Sequence, residues 1–267
     1  MKKLLIVFLL VLSSQPIVAN TVDDKTLSVG WELWYPYQYR DAQQKLIGLD
    51  LDIFNEIIKR INYKVNYTEI PWKRHLNYIK TGDMNIAMGA SFNEERAKYA
   101  LFSEPYRIET VKLFVRKGFA GKIKLKHLKD LSNSNFMIGV EGGYYYGKDY
   151  EKLIKQAAFR SHITEVLDLE QNIDLLMKGH LDGVLVDPFT MQAFINKYKM
   201  FNEFEQHKLH IYADDIHIMI SKKSKFKNLM PKINGAILSL KKDGTLDQFF
   251  KSWNSLVSSN SQSIAQQ

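Results

Sequence analysis

The chain has 267 residues, a length that fits one large or two small domains. Charged residues make up 25% and hydrophobic residues 45%, so a disordered, collagenous or multi-span membrane chain is excluded. Cysteine is absent, which rules out disulfides, thiolate metal sites and a cysteine nucleophile, and the formal net charge of +8 is spread in runs no longer than a pair, such as Arg116-Lys117 and Lys222-Lys223. Scattered lysines of this kind read as a solvated surface, and no nucleic-acid partner is expected.

In chain order, Met1-Lys2-Lys3 precedes an unbroken apolar run from Leu4 to Leu12, then Ser13, Ser14, Gln15, Pro16 and the small Ala19. This layout predicts a secretory signal peptide over 1–19, since the apolar run is far shorter than the ~20 residues a bilayer span needs. Thr26 to Gly30 reads as a strand. The aromatic run Trp31, Trp34, Tyr35, Tyr37, Tyr39 contains Pro36, which argues against a helix or a central strand there. A helix is predicted from Gly48-Leu49-Asp50, with Asp50 as N-cap, Asp52 in the first turn, and Leu51, Phe54, Ile57, Ile58 and Ile61 as the buried stripe. Tyr63 to Ile70 alternates as a strand. Pro71 opens a second helix that buries Leu76 and Ile79 and stops at Gly82, and Asn85 to Met88 is a short apolar strand.

The plan repeats further on. Phe136 to Val140 is a strand, Gly142-Gly143 a turn, and a helix begins near Lys148. Ile173 to Lys178 is helical, Gly179 stops it, and Leu181 to Asp187 is a strand. A strand over 216–220, a helix over 228–241 and a last amphipathic helix carrying Leu246, Phe249, Phe250 and Trp253 follow, with a frayed polar tail predicted over 257–267. Strands alternating with helices predict an α/β chain of parallel βαβ units. Without a Pro- or Gly-rich linker, two halves built alike would be joined by strands, a connection suited to hinge closure.

Several stretches in fixed order then suggest a family. They are Pro36-Tyr37 before Gly48-Leu49-Asp50-Leu51-Asp52, Gly82-Asp83-Met84-Asn85-Ile86, Ser91-Phe92-Asn93-Glu94-Glu95-Arg96, and Phe102-Ser103-Glu104-Pro105-Tyr106. Asp182 to Asp187 and Lys242-Asp243-Gly244-Thr245-Leu246 complete the set. With the signal peptide, the chain resembles the bacterial extracellular solute-binding proteins of the polar amino-acid type, the periplasmic receptors of ABC importers. The resemblance implies a two-lobed periplasmic-binding-protein fold, each lobe a mixed sheet flanked by helices, joined by two hinge strands. It places lobe one at 24–107 plus 216–256 and lobe two at 108–215. It also implies a monomer in the periplasm that hands a small-molecule ligand to a membrane permease, with no cofactor, no metal and no catalysis.

The resemblance assigns roles to residues. Arg96 would grip a ligand α-carboxylate through two parallel charge-assisted hydrogen bonds, which a lysine cannot supply. Asp187, at the end of a lobe-two strand, would accept from the ligand ammonium, although the following Pro188 also suits a plain turn. Ser91 would add a hydroxyl to the carboxylate, while Trp34 and Trp72 would lie against the ligand body. The family's glycine and two threonines after the lobe-two strand are replaced by Gly143-Tyr144-Tyr145-Tyr146-Gly147. Tyr144 and Tyr145 would therefore reshape the pocket, with helix-start amides still open to an anion. Lys73 and Arg74 beside Trp72 raise an anionic ligand as an option.

P-loop, G-x-S-x-G and H-E-x-x-H motifs are absent from the sequence, and the seven histidines are scattered, with His162 and Glu165 the nearest approach to a metal pair. Two alternatives stay open. One is a periplasmic dehydratase-like enzyme using Glu141 and Asp187; the other is a ligand sensor for a signalling partner.

Overall fold

A computed structural model of the chain describes residues 25–262, with side chains through Ser258; the signal peptide expected over 1–19 lies outside the described residues. The chain starts with strand β1 (Thr26–Trp31), a loop carrying the aromatic run, and the short hairpin strands β2 (Tyr39–Arg40) and β3 (Leu46–Ile47). Helix α1 (Leu49–Arg60) leads to β4 (Lys64–Glu69), and α2 (Trp72–Thr81) leads to β5 (Ile86–Ser91). Both β4 and β5 pair parallel to β1, one on each side, so two βαβ crossovers build the first half-sheet. A four-residue helix α3 (Glu94–Ala97) and the short strand β6 (Ala100–Phe102) then bring the chain to β7 (Arg107–Arg116).

The second half begins with β8 (Ile138–Glu141), followed by α4 (Gly147–Leu153), α5 (Ala157–Arg160), β9 (Ile163–Val166), α6 (Leu169–Met177), β10 (Gly183–Val186) and α7 (Pro188–Tyr198). The 18-residue strand β11 (Phe204–Ser221) runs back, and α8 (Met230–Lys242) and α9 (Thr245–Gln262) pack onto the first half. The sheet order is β4-β1-β5-β11-β7-β10-β8-β9, with β6 also on β11. Parallel pairs on the two outer flanks are thus bridged by antiparallel β7 and β11, which pair from Phe204–Arg116 to Ile216–Arg107. The end of β11 then pairs with β5 and β6 in the first lobe. The two lobes are joined by these strands, and the register of β11 slips at several points, where the extra residues let the strand bend.

The first lobe's core fills the space between its sheet and α1, α8 and α9, with Ile53, Phe54, Ile57, Ile233 and Ile237 essentially inaccessible. Burying each such side chain stabilises by about 1.5–3 kcal/mol. The second lobe has cores on both sheet faces, around Leu131 and Phe159 on one and Leu176 and Met191 on the other.

Three expectations need correction. Asp50 does not cap α1. Gly48 does, at φ +144°, where an added Cβ would lie 2.1 Å from the Tyr37 carbonyl oxygen. Asp50 is instead fully buried and ion-paired to Arg107. Pro71 is the N-cap of α2 rather than its first helical residue. The polar stretch expected to fray from 257 is helical to Gln262, because Val257 is buried and its carbonyl accepts from the Asn196 side chain.

Candidate functional site

The carboxyl ends of β1, β5 and β8 meet the start of β7 where the lobes face each other. There a cavity is walled by Glu32, Trp34 and Gln38 from the loop after β1, Trp72 from the start of α2, Gly89 and Ser91 from β5, and Arg96 from α3. The second lobe contributes Glu109 from β7 and Tyr144 and Tyr145 from the loop after β8. Strand ends in an open α/β sheet leave such a crevice because the helices turn away beyond them.

Arg96 is positioned by its own short helix. Asn93 caps α3 by accepting from the Arg96 backbone N–H at 2.7 Å. The buried guanidinium donates from Nη1 to Ser91 O at 2.8 Å and from Nη2 across the cleft to Gly143 O at 2.9 Å, and its Cζ lies 5.6 Å from the Trp72 ring centre. Both partners are neutral carbonyls, so neither cancels the charge. Burial pushes the Arg96 pKa down, with Tyr99 and Glu109 pulling the other way, yet a guanidinium keeps its proton in proteins.

The acids are more numerous. The Glu32 carboxylate accepts from the Trp72 N–H at 2.6 Å and, across the cleft, from the Tyr144 hydroxyl at 2.8 Å; burial outweighs both and pushes its pKa up to about 7. Glu109 accepts from the Ser91 hydroxyl at 3.4 Å. Burial pushes it up to about 7, against the pull of Arg107 and Arg96 and with Asp187 and Asp50 adding to the rise. An adjoining cavity shares Trp34, Glu109, Tyr144 and Tyr145 with the first and adds Glu141, Tyr146 and Asp187. Burial, followed by the charges of Glu32 and Asp168, holds Glu141 well above the usual carboxylate range.

Asp187 caps α7. Its Oδ1 accepts from the Thr190 N–H and from the Tyr37 hydroxyl of the first lobe, each at 3.0 Å. Burial raises its pKa, with the Thr190 N–H, Arg107 and Tyr37 opposing. Beneath the cleft, Arg107 donates to both Asp50 oxygens at 2.7 and 3.0 Å, and its Cζ sits 3.9 Å from the Tyr37 ring centre and 4.9 Å from that of Trp34. The lobes thus touch through Arg96–Gly143, Glu32–Tyr144 and Tyr37–Asp187, with Lys73 reaching Glu165 at 3.0 Å on the exposed rim.

A cleft of this design between lobes joined by two strands invites comparison with known proteins. The family model of bacterial extracellular solute-binding proteins, family 3, matches residues 27–255. The chain belongs to this family. Among curated relatives, the L-cystine-binding protein TcyJ of Escherichia coli (strain K12) is 24% identical over 237 residues, covering 88% of this chain and 85% of the relative. The arginine-binding periplasmic protein of Mannheimia haemolytica is 23% identical over 226 residues, covering 82% and 86%. Among solved structures, an ancestral arginine-binding protein bound to arginine superposes with a TM-score of 0.73 at 26% identity, covering 86% of this chain and 98% of that one.

For this solute-binding protein, the site residues named from the sequence distribute as follows. Arg96, Ser91, Trp34, Trp72, Tyr144 and Tyr145 line one cavity, and Asp187 lines the adjoining one. The tyrosines do reshape the space. Tyr144 is tied to Glu32 and stands edge-on to Trp34, with ring centres 5.8 Å apart. The Tyr146 hydroxyl, by contrast, accepts from the Glu141 N–H inside the second lobe. Within the turn, the Tyr144 N–H is directed at Glu141 O, and Gly143 turns its carbonyl toward Arg96. Lys73 and Arg74 are exposed and absent from the cavity wall, which removes the basis for an anionic ligand. His162 bonds to Phe136 O while Glu165 pairs with Lys73, and no cluster of metal-ligating side chains occurs among the described residues.

Sequence reasoning missed Glu32, Gln38 and Glu109. Glu109 carried a readable signal: in Arg107-Ile108-Glu109-Thr110-Val111, it shares the inward side of an alternating strand with Val111. Glu32 and Gln38 sit in an irregular loop, where no periodicity marks which side chains turn inward.

Proposed function

We propose that this solute-binding protein captures an amino acid or a closely related compound by closing its lobes over it. Arg96 grips the α-carboxylate with the Ser91 hydroxyl beside it, Asp187 receives the α-ammonium, and Trp34, Trp72, Tyr144 and Tyr145 enclose the body of the ligand. The lobes divide at the strand crossover, 24–107 plus 216–256 against 108–215, and the closed monomer delivers its solute in the periplasm to the permease of an ABC importer.

The observation that carries this reading is the buried Arg96 guanidinium in the cleft, whose hydrogen bonds among the described residues go to the neutral carbonyls of Ser91 and Gly143. A buried charge of this kind is strongly stabilised by a hydrogen-bonded counter-ion, and a carboxylate matches its fork. The cystine and arginine named for its relatives are both α-amino acids, which supports the same ligand class. Since only the closed form touches the solute from both sides, binding shifts the lobes toward closure by its differential affinity.

The reading is tested by titration calorimetry of the whole chain against the twenty L-amino acids. One or a few should bind, and Arg96→Ala should abolish the heat while leaving the circular dichroism unchanged. Undiminished binding by Arg96→Ala refutes the site. The solute should also be recovered unchanged. Glu141 and Asp187, which share one cavity, are the residues to substitute if conversion of a prephenate-like acid is detected instead.

A further inference from the structure

We propose that the solute carries a cationic side chain, a guanidinium or an ammonium in addition to its α-ammonium, received by Glu32, Gln38 and Glu109 in the wall of the same cavity. The proposal rests on the reading of the cleft just given and narrows its ligand to one charge class.

Charge balance is the first support. The first cavity is walled by the carboxyl groups of Glu32 and Glu109 with the Arg96 guanidinium; burial raises both acids to about 7, and a cation placed beside them would favour their ionised forms. A ligand whose only positive charge is its α-ammonium has no second cation with which to stabilise those ionised forms. An acidic ligand would bury a further carboxylate among them, at a cost of several kcal/mol. A ligand with one surplus positive charge is the class that these two acids favour.

Hydrogen-bond valence is the second, independent support. The Gln38 Oε1 atom is buried, lines the first cavity and has no hydrogen-bond partner among the described residues. An acceptor left unpaired in the interior costs about 1–3 kcal/mol. The Glu32 oxygens have one donor each and retain lone pairs, and Glu109 takes only the long bond from Ser91. This stretch of wall is therefore acceptor-rich, and the group that satisfies several acceptors at once is one rich in N–H donors. The rings of Trp34, Trp72 and Tyr144 line the same cavity and add no competing donor-rich cationic group. Tyr144 also fixes the Glu32 carboxylate from the second lobe, so this part of the wall is assembled only when the lobes meet.

Calorimetry at pH 8 with L-arginine, L-lysine, L-glutamine and L-glutamate decides the matter. Arginine or lysine should bind at least tenfold more tightly than glutamine, and glutamate should give no heat. In Glu32→Gln, the preference for the cation over glutamine should fall at least tenfold. Glu109→Gln serves as a second variant, and circular dichroism confirms that both fold. Glutamine or glutamate binding as tightly as the two cations, or a preference intact in both variants, overturns this proposal while the amino-acid reading stands. If none of the twenty amino acids binds, the amino-acid reading itself fails and this proposal with it.

Discussion

Replacing Asp50 by asparagine tests how the cleft floor is held. The Asp50 side chain is 0% exposed and that of Arg107 2%, and the two meet at 2.7 and 3.0 Å in a two-pronged bond. Asparagine preserves the size of the side chain but removes the negative charge, leaving the Arg107 guanidinium buried without its counter-ion. Its Nη1 already lacks a hydrogen-bond partner among the described residues, and the carboxyls that remain near it, Glu109 and Asp187, are both shifted toward the neutral form by burial. Breaking one side of a buried pair costs about 3–5 kcal/mol. At roughly 2–4 °C per kcal/mol for a chain of this size, the midpoint of thermal unfolding should fall by about 6–20 °C. Urea and thermal unfolding followed by circular dichroism measure both quantities. Asp174→Ala, which breaks an exposed pair with Lys178, is the control and should cost no more than about 1 kcal/mol. A loss below about 1 kcal/mol for Asp50→Asn would refute the view that this pair anchors the floor of the site.

Three further outcomes are expected. Asp187→Asn keeps an N-cap side chain on α7 but removes the charge, so stability should change by under about 1 kcal/mol while amino-acid affinity drops at least tenfold; calorimetry showing unchanged affinity would limit Asp187 to a capping role. Gly48→Ala places a Cβ against the Tyr37 carbonyl at φ +144° and should destabilise by more than about 1 kcal/mol in urea unfolding. Glu109, facing Arg107, Arg96, Asp187, Asp50 and Ser91, titrates near 7 when folded but near 4.5 when unfolded. The folded state binds more protons between those values, so this residue makes stability fall as pH rises from about 4.5 to about 7. Glu109→Gln should therefore gain stability relative to the parent across that window, and a constant difference in urea midpoints would contradict the assignment.

What was legible in the sequence was local. The helix stripe of α1, the Gly82 stop and the short apolar strand after it could be read because each depends on near neighbours. Arg96 and Ser91 were found through motif resemblance, since nothing in the spacing of Glu94-Glu95-Arg96 says that the arginine turns inward. The crossover strands were less visible. Residues 204–215 are rich in charged and polar side chains and only join a strand because β7 lies alongside them. Asp50 was misplaced because an acid before a helix ordinarily caps it. Its actual role depends on Arg107, 57 residues away, and on a glycine conformation that the Tyr37 carbonyl enforces. Asp187 and Glu141 could be named from the sequence, whereas Glu32 and Glu109 joined them only when the two lobes were brought together.

The most direct measurement is a crystal structure of the chain grown with the amino acid that binds it most tightly in calorimetry. The expected result is the ligand carboxylate within hydrogen-bond distance of the Arg96 guanidinium and the Ser91 hydroxyl, with both lobes touching the same molecule. A ligand bound outside the cleft, or one inside it with Arg96 still engaged only by the Ser91 and Gly143 carbonyls, would contradict the claim that this arginine is the anchor on which the lobes close.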